Sequence, residues 1–149
     1  MTAELIKQKL TENGLKSTHQ RLVVFQALIN SKTHPSAEEI FDVVRINNPT
    51  ISMGTVYKTL ETFVIKELII KVSTPGGKSR YDTNTGRHNH IYCTNTGEII
   101  DFIDEELNEI IEDYIKKRSI ENLNIKDIRL HIRGEKKDIN KKVTVSNNF

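Results

Sequence analysis

Three helix-start signals in succession, followed by one hairpin signal, limit what the first half of this chain can build. Ser17-Thr18-His19-Gln20 reads as an S-x-x-Q capping box, in which a hydroxyl covers an exposed helix N–H and the glutamine turns back to the cap. Ser36-Ala37-Glu38-Glu39 repeats the device directly after Pro35, and Ser52 stands before a further amphipathic run. Ahead of all three, residues 2–13 read as a helix with Glu4 in its first turn and Gly14 as its stop. Ile40, Val43 and Val44 form the expected inward stripe after Ser36. After Ser52, Val56, Leu60 and Phe63 recur at helical spacing, which leaves Thr55, Tyr57, Lys58, Glu61 and Thr62 on the other faces. Residues 68–73 then favour a strand, and Pro75-Gly76-Gly77-Lys78 is a turn leading into Ser79-Arg80-Tyr81. Four helices and a two-stranded hairpin, in that order, make a winged helix-turn-helix.

The second half has a different character. Residues 90–94 and 98–103 read as strands joined at Asn95-Thr96-Gly97. Residues 104–118 read as a helix whose charges oppose its dipole, with Asp104, Glu105 and Glu106 at the start and Lys116, Lys117 and Arg118 at the end. Leu107, Ile110, Ile111, Tyr114 and Ile115 form its apolar stripe, and Ile128, Leu130 and Ile132 alternate as a third strand. One helix cannot cover both faces of such a sheet, so pairing with a second copy is expected. The expected class is α+β: a winged-helix DNA-binding domain over 1–83, a hinge at 84–87, a small α/β domain for dimerisation and metal sensing over 88–134, and a tail over 135–149. A short strand is expected in that tail at 143–145.

Charge and hydropathy exclude several classes. With 36% hydrophobic and 28% charged residues, the chain has no apolar run near the roughly 18 residues that a membrane span needs, and its start lacks a secretory signal pattern. A cytoplasmic protein with no membrane partner is expected. The net charge of +2 divides unevenly: residues 1–83 carry 11 Lys and Arg against 8 Asp and Glu, and residues 84–149 carry 11 against 12. The first half is thus mildly basic, but it has no polybasic run. Any DNA affinity must come from a few placed cations, doubled by dimerisation.

His34, Asp82, His88, His90 and Asp101 carry the chemistry. A lone histidine is usually an ordinary hydrogen-bonded residue, but His88 and His90 form an H-x-H pair among β-favouring residues. Positions i and i+2 of a strand face the same side, so both imidazoles can reach one ion. Asp82 and Asp101 flank that pair, and His34 precedes the third helix. Three nitrogens and two carboxylates suit Fe(II) or Mn(II), with Zn(II) able to substitute in vitro. An ion held by residues on both sides of the hinge would convert metal occupancy into DNA-binding competence. An Fe(II) oxygenase is the competing enzyme class. It needs a two-His-one-carboxylate set with open positions and a substrate cavity, and five protein ligands leave at most one position open.

These residues lie in motifs that resemble a known family. LKSTHQR at 15–21, HPSAEEIF at 34–41, SMGTVYKTL at 52–60, RYD at 80–82 and HNHIYCTNTGEIIDF at 88–102 are similar, in order, to the ferric uptake regulator (Fur) superfamily. Within it they are nearest to the peroxide-responsive PerR branch. The iron-uptake branch typically carries glutamate where this chain has Asp82 and Asp101, and the PerR branch carries aspartate at both. The resemblance implies a metal-dependent repressor, not an enzyme, that binds a palindromic DNA operator as a homodimer. It further implies that peroxide, reacting at Fe(II), oxidises ligand histidines, with His34 and His88 as the targets. A Fur-like repressor that senses iron without peroxide is the alternative.

Two departures stand out. Most members of the family hold a structural zinc with two CxxC pairs. Here the first reads Cys93-Thr94-Asn95-Thr96, the second would fall at 135–139 and is missing, and Cys93 is the sole cysteine of the 149 residues. No structural zinc is expected, and Cys93 reads as a small buried residue. Ile128 stands where many members place a histidine of an additional metal site, so that site is not carried over to the nearby Asp127 and His131. For the operator, the helix after Ser52 is the candidate for the major groove. Ser52, Thr55, Tyr57 and Lys58 are its contact residues, with Arg21, Lys78 and Arg80 as phosphate contacts.

Overall fold

The computed structural model describes residues 1–146, which divide into two compact units, Met1–Thr85 and a second from Gly86 onward. Residues 147–149 of the expected tail lie outside the described residues. No strand forms at 143–145.

The first unit consists of α1 (Ala3–Glu12), α2 (His19–Asn30), α3 (Ala37–Asn47), α4 (Met53–Ile65) and an antiparallel hairpin of β1 (Ile70–Ser73) and β2 (Ser79–Asp82). The fold class is the expected one, a helical unit ending in a wing. Each helix begins on a hydroxyl, but the second is capped by Thr18 and not by Ser17. Thr18 accepts from the Arg21 amide, so Gln20 falls one position short of where a capping-box side chain can turn back. At α3 the box is complete: Ser36 Oγ accepts from the Glu39 amide at 3.3 Å, and Glu39 accepts from the Ser36 amide at 2.7 Å. Gly14 takes a positive φ of 74° just past the end of α1, a conformation that glycine adopts without a Cβ penalty.

The core of this unit gathers Ile6 and Leu10 from α1, Val24, Phe25 and Leu28 from α2, Ile40 and Val44 from α3, and Val56, Leu60 and Phe63 from α4. Phe25 meets Phe63 edge-on at 5.3 Å. Val43 does not join them and is 58% exposed. Ile40 and Val44, four residues apart, define a narrow inward face, and Val43 projects to its side. Tyr81 is buried, and burial pushes its hydroxyl pKa up to about 12. The Tyr81 amide donates to the Pro35 carbonyl at 2.9 Å, and Ser36 bridges to Arg80. These bonds lay β2 along the start of α3 and so bring His34 beside Asp82.

The second unit contains β3 (Asn89–Cys93), β4 (Ile99–Phe102), α5 (Glu105–Lys116) and β5 (His131–Gly134). The sheet order is β4-β3-β5, with β4 antiparallel and β5 parallel to β3. The third strand begins at His131, later than the alternation from Ile128 suggests. The Leu130 amide is taken by the Asn89 side chain at 2.8 Å, so the regular ladder starts only after it. Asn89 also donates to Asn108 of α5 at 2.9 Å, an amide pair that fastens the helix to the sheet. The buried residues described in this unit are His88, Asn89, His90, Cys93 and Asn108, of which only Cys93 is apolar. The stripe on α5 is left open, with Ile110 58% and Tyr114 55% exposed.

Candidate metal centre

The second unit brings three donor atoms together. His88 stands just before β3 and His90 within it, and their Nε2 atoms are 3.0 Å apart. Asp101 on β4 pairs directly across from His90. Its Oδ1 lies 3.4 Å from His88 Nε2 and 3.5 Å from His90 Nε2. Two nitrogens each about 2.1 Å from one ion, at a right angle, lie about 3.0 Å apart. The three donors are therefore spaced as one face of a coordination polyhedron. His88 Nδ1 lies 2.8 Å from the Gly86 carbonyl, a bond that fixes the ring and turns Nε2 toward its neighbours. The His88 side chain is 1% exposed and that of Asp101 is 35% exposed, so this face opens to solvent on the aspartate side.

The first unit brings two more donors together. His34, just before α3, and Asp82, the last residue of β2, approach to 3.2 Å between Nε2 and Oδ2. The other Asp82 oxygen accepts from the Asn84 amide at 2.8 Å, which orients the carboxylate. This pair has the spacing of two adjacent ligands of one cation, supplied by residues 48 positions apart in the chain.

A four-thiolate zinc site does not fit this chain. Where its pairs would fall, Asn95 donates to the Lys136 carbonyl at 3.0 Å and accepts from the Lys136 amide at 3.0 Å. Lys136 Nζ also meets Glu98 at 2.9 Å, and the Thr94 amide donates to the Gly134 carbonyl at 2.8 Å. Hydrogen bonds thus tie the β3–β4 turn to the segment after β5. Cys93 is buried beside them.

On the first unit, Ser52 caps α4 and shares a 2.9 Å hydrogen bond with the Thr55 hydroxyl. Tyr57, Lys58 and Lys78 are exposed, and Thr55 is half-buried. Arg21 is held by the Lys16 carbonyl at 2.9 Å. Arg80 is turned inward to Glu39 at 3.0 Å and to the His34 carbonyl at 3.3 Å, so it braces the α3 start against the wing. Glu38 lies inside the capping-box motif, but the sequence gives it no role of its own. Its carboxylate accepts from the Tyr57 hydroxyl at 2.9 Å.

A winged helix-turn-helix unit carrying one His–Asp pair, followed by a unit carrying a His–His–Asp triplet, defines a metal-responsive DNA-binding regulator. The sequence profile of the Ferric uptake regulator family matches residues 12–133, and the chain belongs to that family. Its members are transcription regulators, not enzymes. The chain is 38% identical over 101 residues, 68% of either chain, to the peroxide-responsive repressor PerR of Staphylococcus aureus. Among solved structures it is similar to the ferric uptake regulator of Pseudomonas aeruginosa with manganese, at 26% identity and a TM-score of 0.76, covering 90% of this chain and 99% of that one. It is also similar to the Helicobacter pylori regulator Fur, described with three functional metal-binding sites, at 27% identity and a TM-score of 0.76 over 97% of each chain. No helix among the described residues is long and apolar enough to cross a membrane.

Proposed function

We propose that this protein is a dimeric, metal-dependent repressor that releases its operator when peroxide oxidises histidines of its metal site. The observation that carries the proposal is the triplet of His88, His90 and Asp101, with donor atoms 3.0 to 3.5 Å apart and aspartate, not glutamate, as its acid. With His34 and Asp82 the set would offer three nitrogens and two oxygens to one Fe(II) or Mn(II). Fe(II) held there supplies the reducing chemistry that makes an oxidant of peroxide, which Mn(II) does poorly. His34 and His88 take the oxygen. An oxidised imidazole would be a poorer ligand, so oxidation would weaken metal binding and with it the metal-dependent hold on DNA. Likeness to the S. aureus peroxide-responsive repressor supports this reading, and likeness to the two ferric uptake regulators supports an iron-sensing alternative.

Dimerisation follows from the second unit's want of a core. Ile103, Ile110, Tyr114, Ile120, Leu123, Ile125 and Ile132 are each at least 41% exposed in the single chain. So large an apolar surface on a small unit calls for a partner, and a second copy supplies an identical one. The bonds joining Asn95 to Lys136 hold each protomer's sheet together, so no structural zinc is needed.

The α4 helix is the element that enters the major groove of a palindromic operator. Tyr57, Lys58 and the Ser52–Thr55 end meet bases or phosphates, and Arg21 and Lys78 meet phosphates. Tyr57→Ala and Arg21→Ala should each weaken operator binding by about 1–3 kcal/mol, and loss of the Arg21 contact should flatten the salt dependence. Metal affinity and dimer mass should not change. Fluorescence anisotropy across a salt series measures both effects. Wild-type affinity in both variants would remove this docking face from consideration.

A further inference from the structure

The capping box at α3 uses only one of its two acidic residues. Glu39 closes the box and pairs with Arg80, whereas Glu38 crosses to α4 and accepts from the Tyr57 hydroxyl at 2.9 Å. Tyr57 is 41% exposed and lines a cavity of about 220 Å³ together with Glu61, Lys71, Lys78 and Tyr81. Across that cavity Lys71 and Glu61 are engaged with each other at 2.7 Å. Packing therefore touches the ring on part of its surface only, and the bond at its tip is what fixes its orientation.

We infer that Glu38 is a positioning residue for operator recognition: it holds the Tyr57 hydroxyl so that the ring edge, and not the hydroxyl, meets the DNA. The bond has a fixed direction. The Glu38 carboxyl is held below its ordinary range by a bond from its own backbone amide and then by Tyr57, and the same contact raises the Tyr57 phenol. At neutral pH the phenol donates and the carboxylate accepts. A hydroxyl committed in this way cannot also donate to a base acceptor, which leaves the ring edge as the apolar surface that Tyr57 offers the major groove. The base group that fits it is the 5-methyl of thymine. This inference rests on the α4 docking proposed above.

Glu38 is negative, and its removal near DNA would itself alter affinity. The test therefore compares two neutral replacements of similar shape, Glu38→Gln, which still accepts a hydrogen bond, and Glu38→Met, which does not. Manganese-loaded full-length protein is titrated against a duplex selected for binding from a randomised pool. Glu38→Met should bind about fivefold more weakly than Glu38→Gln, the size of one neutral hydrogen bond. Combined with Tyr57→Phe, the two replacements should bind alike. Replacing thymine by uracil at the contacted position should weaken Glu38→Gln more than Glu38→Met. Equal binding by the two variants, or a gap that persists with Tyr57→Phe, overturns the inference. Tyr57→Ala, measured alongside, separates the failures: if it weakens binding while the Glu38 pair bind alike, only the positioning role falls. If it binds as wild type does, the docking of α4 falls first.

Discussion

Asp101→Glu should keep metal-dependent operator binding and lose most peroxide-driven release. Glutamate retains the charge and the oxygen donor, so affinity for the ion is not the property most affected. Its extra methylene changes the angle or mode by which the carboxylate reaches the ion. Asp101 sits directly opposite His90 across the β3–β4 ladder, and a strand pair held in register cannot shift to absorb the added length. Asp101 is also the solvent-open member of its triplet, on the side from which peroxide would arrive. Reactivity is therefore more sensitive to the swap than binding is. Operator binding by iron-loaded protein across a peroxide titration measures this. Release at the wild-type dose would mean that Asp101 does not set the sensitivity.

His90→Ala should have a larger effect and a different one, because it removes a donor outright. His90 Nε2 contacts both other donors of its triplet, at 3.0 Å and 3.5 Å. Losing an outer partner of a metal ligand commonly costs 10- to 100-fold in affinity, so losing the ligand itself should cost at least about 100-fold. Titration with Mn(II) should show about one chelator-removable equivalent per wild-type chain and none of comparable affinity in the variant. Operator binding by the variant should no longer respond to metal. The buried site left by the imidazole is polar and small, so fold and dimer mass should survive. The same metal analysis tests the expectation that no structural zinc is held: one chelator-resistant zinc per chain, in either protein, would contradict it.

The first unit was the more legible in sequence, because its signals are local. A cap and its target lie three residues apart, and Val56, Leu60 and Phe63 mark a core face by spacing alone. Even there, adjacent hydroxyls at Ser17 and Thr18 could not be told apart, since both precede a helical run and only backbone geometry selects Thr18. Val43 misled because an apolar residue beside a stripe looks like part of it. In the metal centre, the H-x-H spacing announces the His88–His90 pair, and a turn of known length sets Asp101 opposite His90. What stayed hidden depends on long-range side-chain bonds. Asn89 shifts the start of β5 from 41 residues away by taking the Leu130 amide, and Asn95 reaches Lys136 across the same span. Glu38 and Glu39 both suit the first turn of a helix. The S-x-x-E spacing marks Glu39 as the cap partner, but only the packing of α4 reveals that Glu38 reaches Tyr57.

Peptide mass spectrometry of iron-loaded protein, before and after peroxide, tests the central claim most directly. The account predicts the gain of one oxygen on peptides containing His34 or His88, in step with loss of operator binding, and no gain in the manganese-loaded protein. Iron-loaded protein that stays unmodified at these histidines and keeps its operator under peroxide would contradict the account and leave iron sensing as the function.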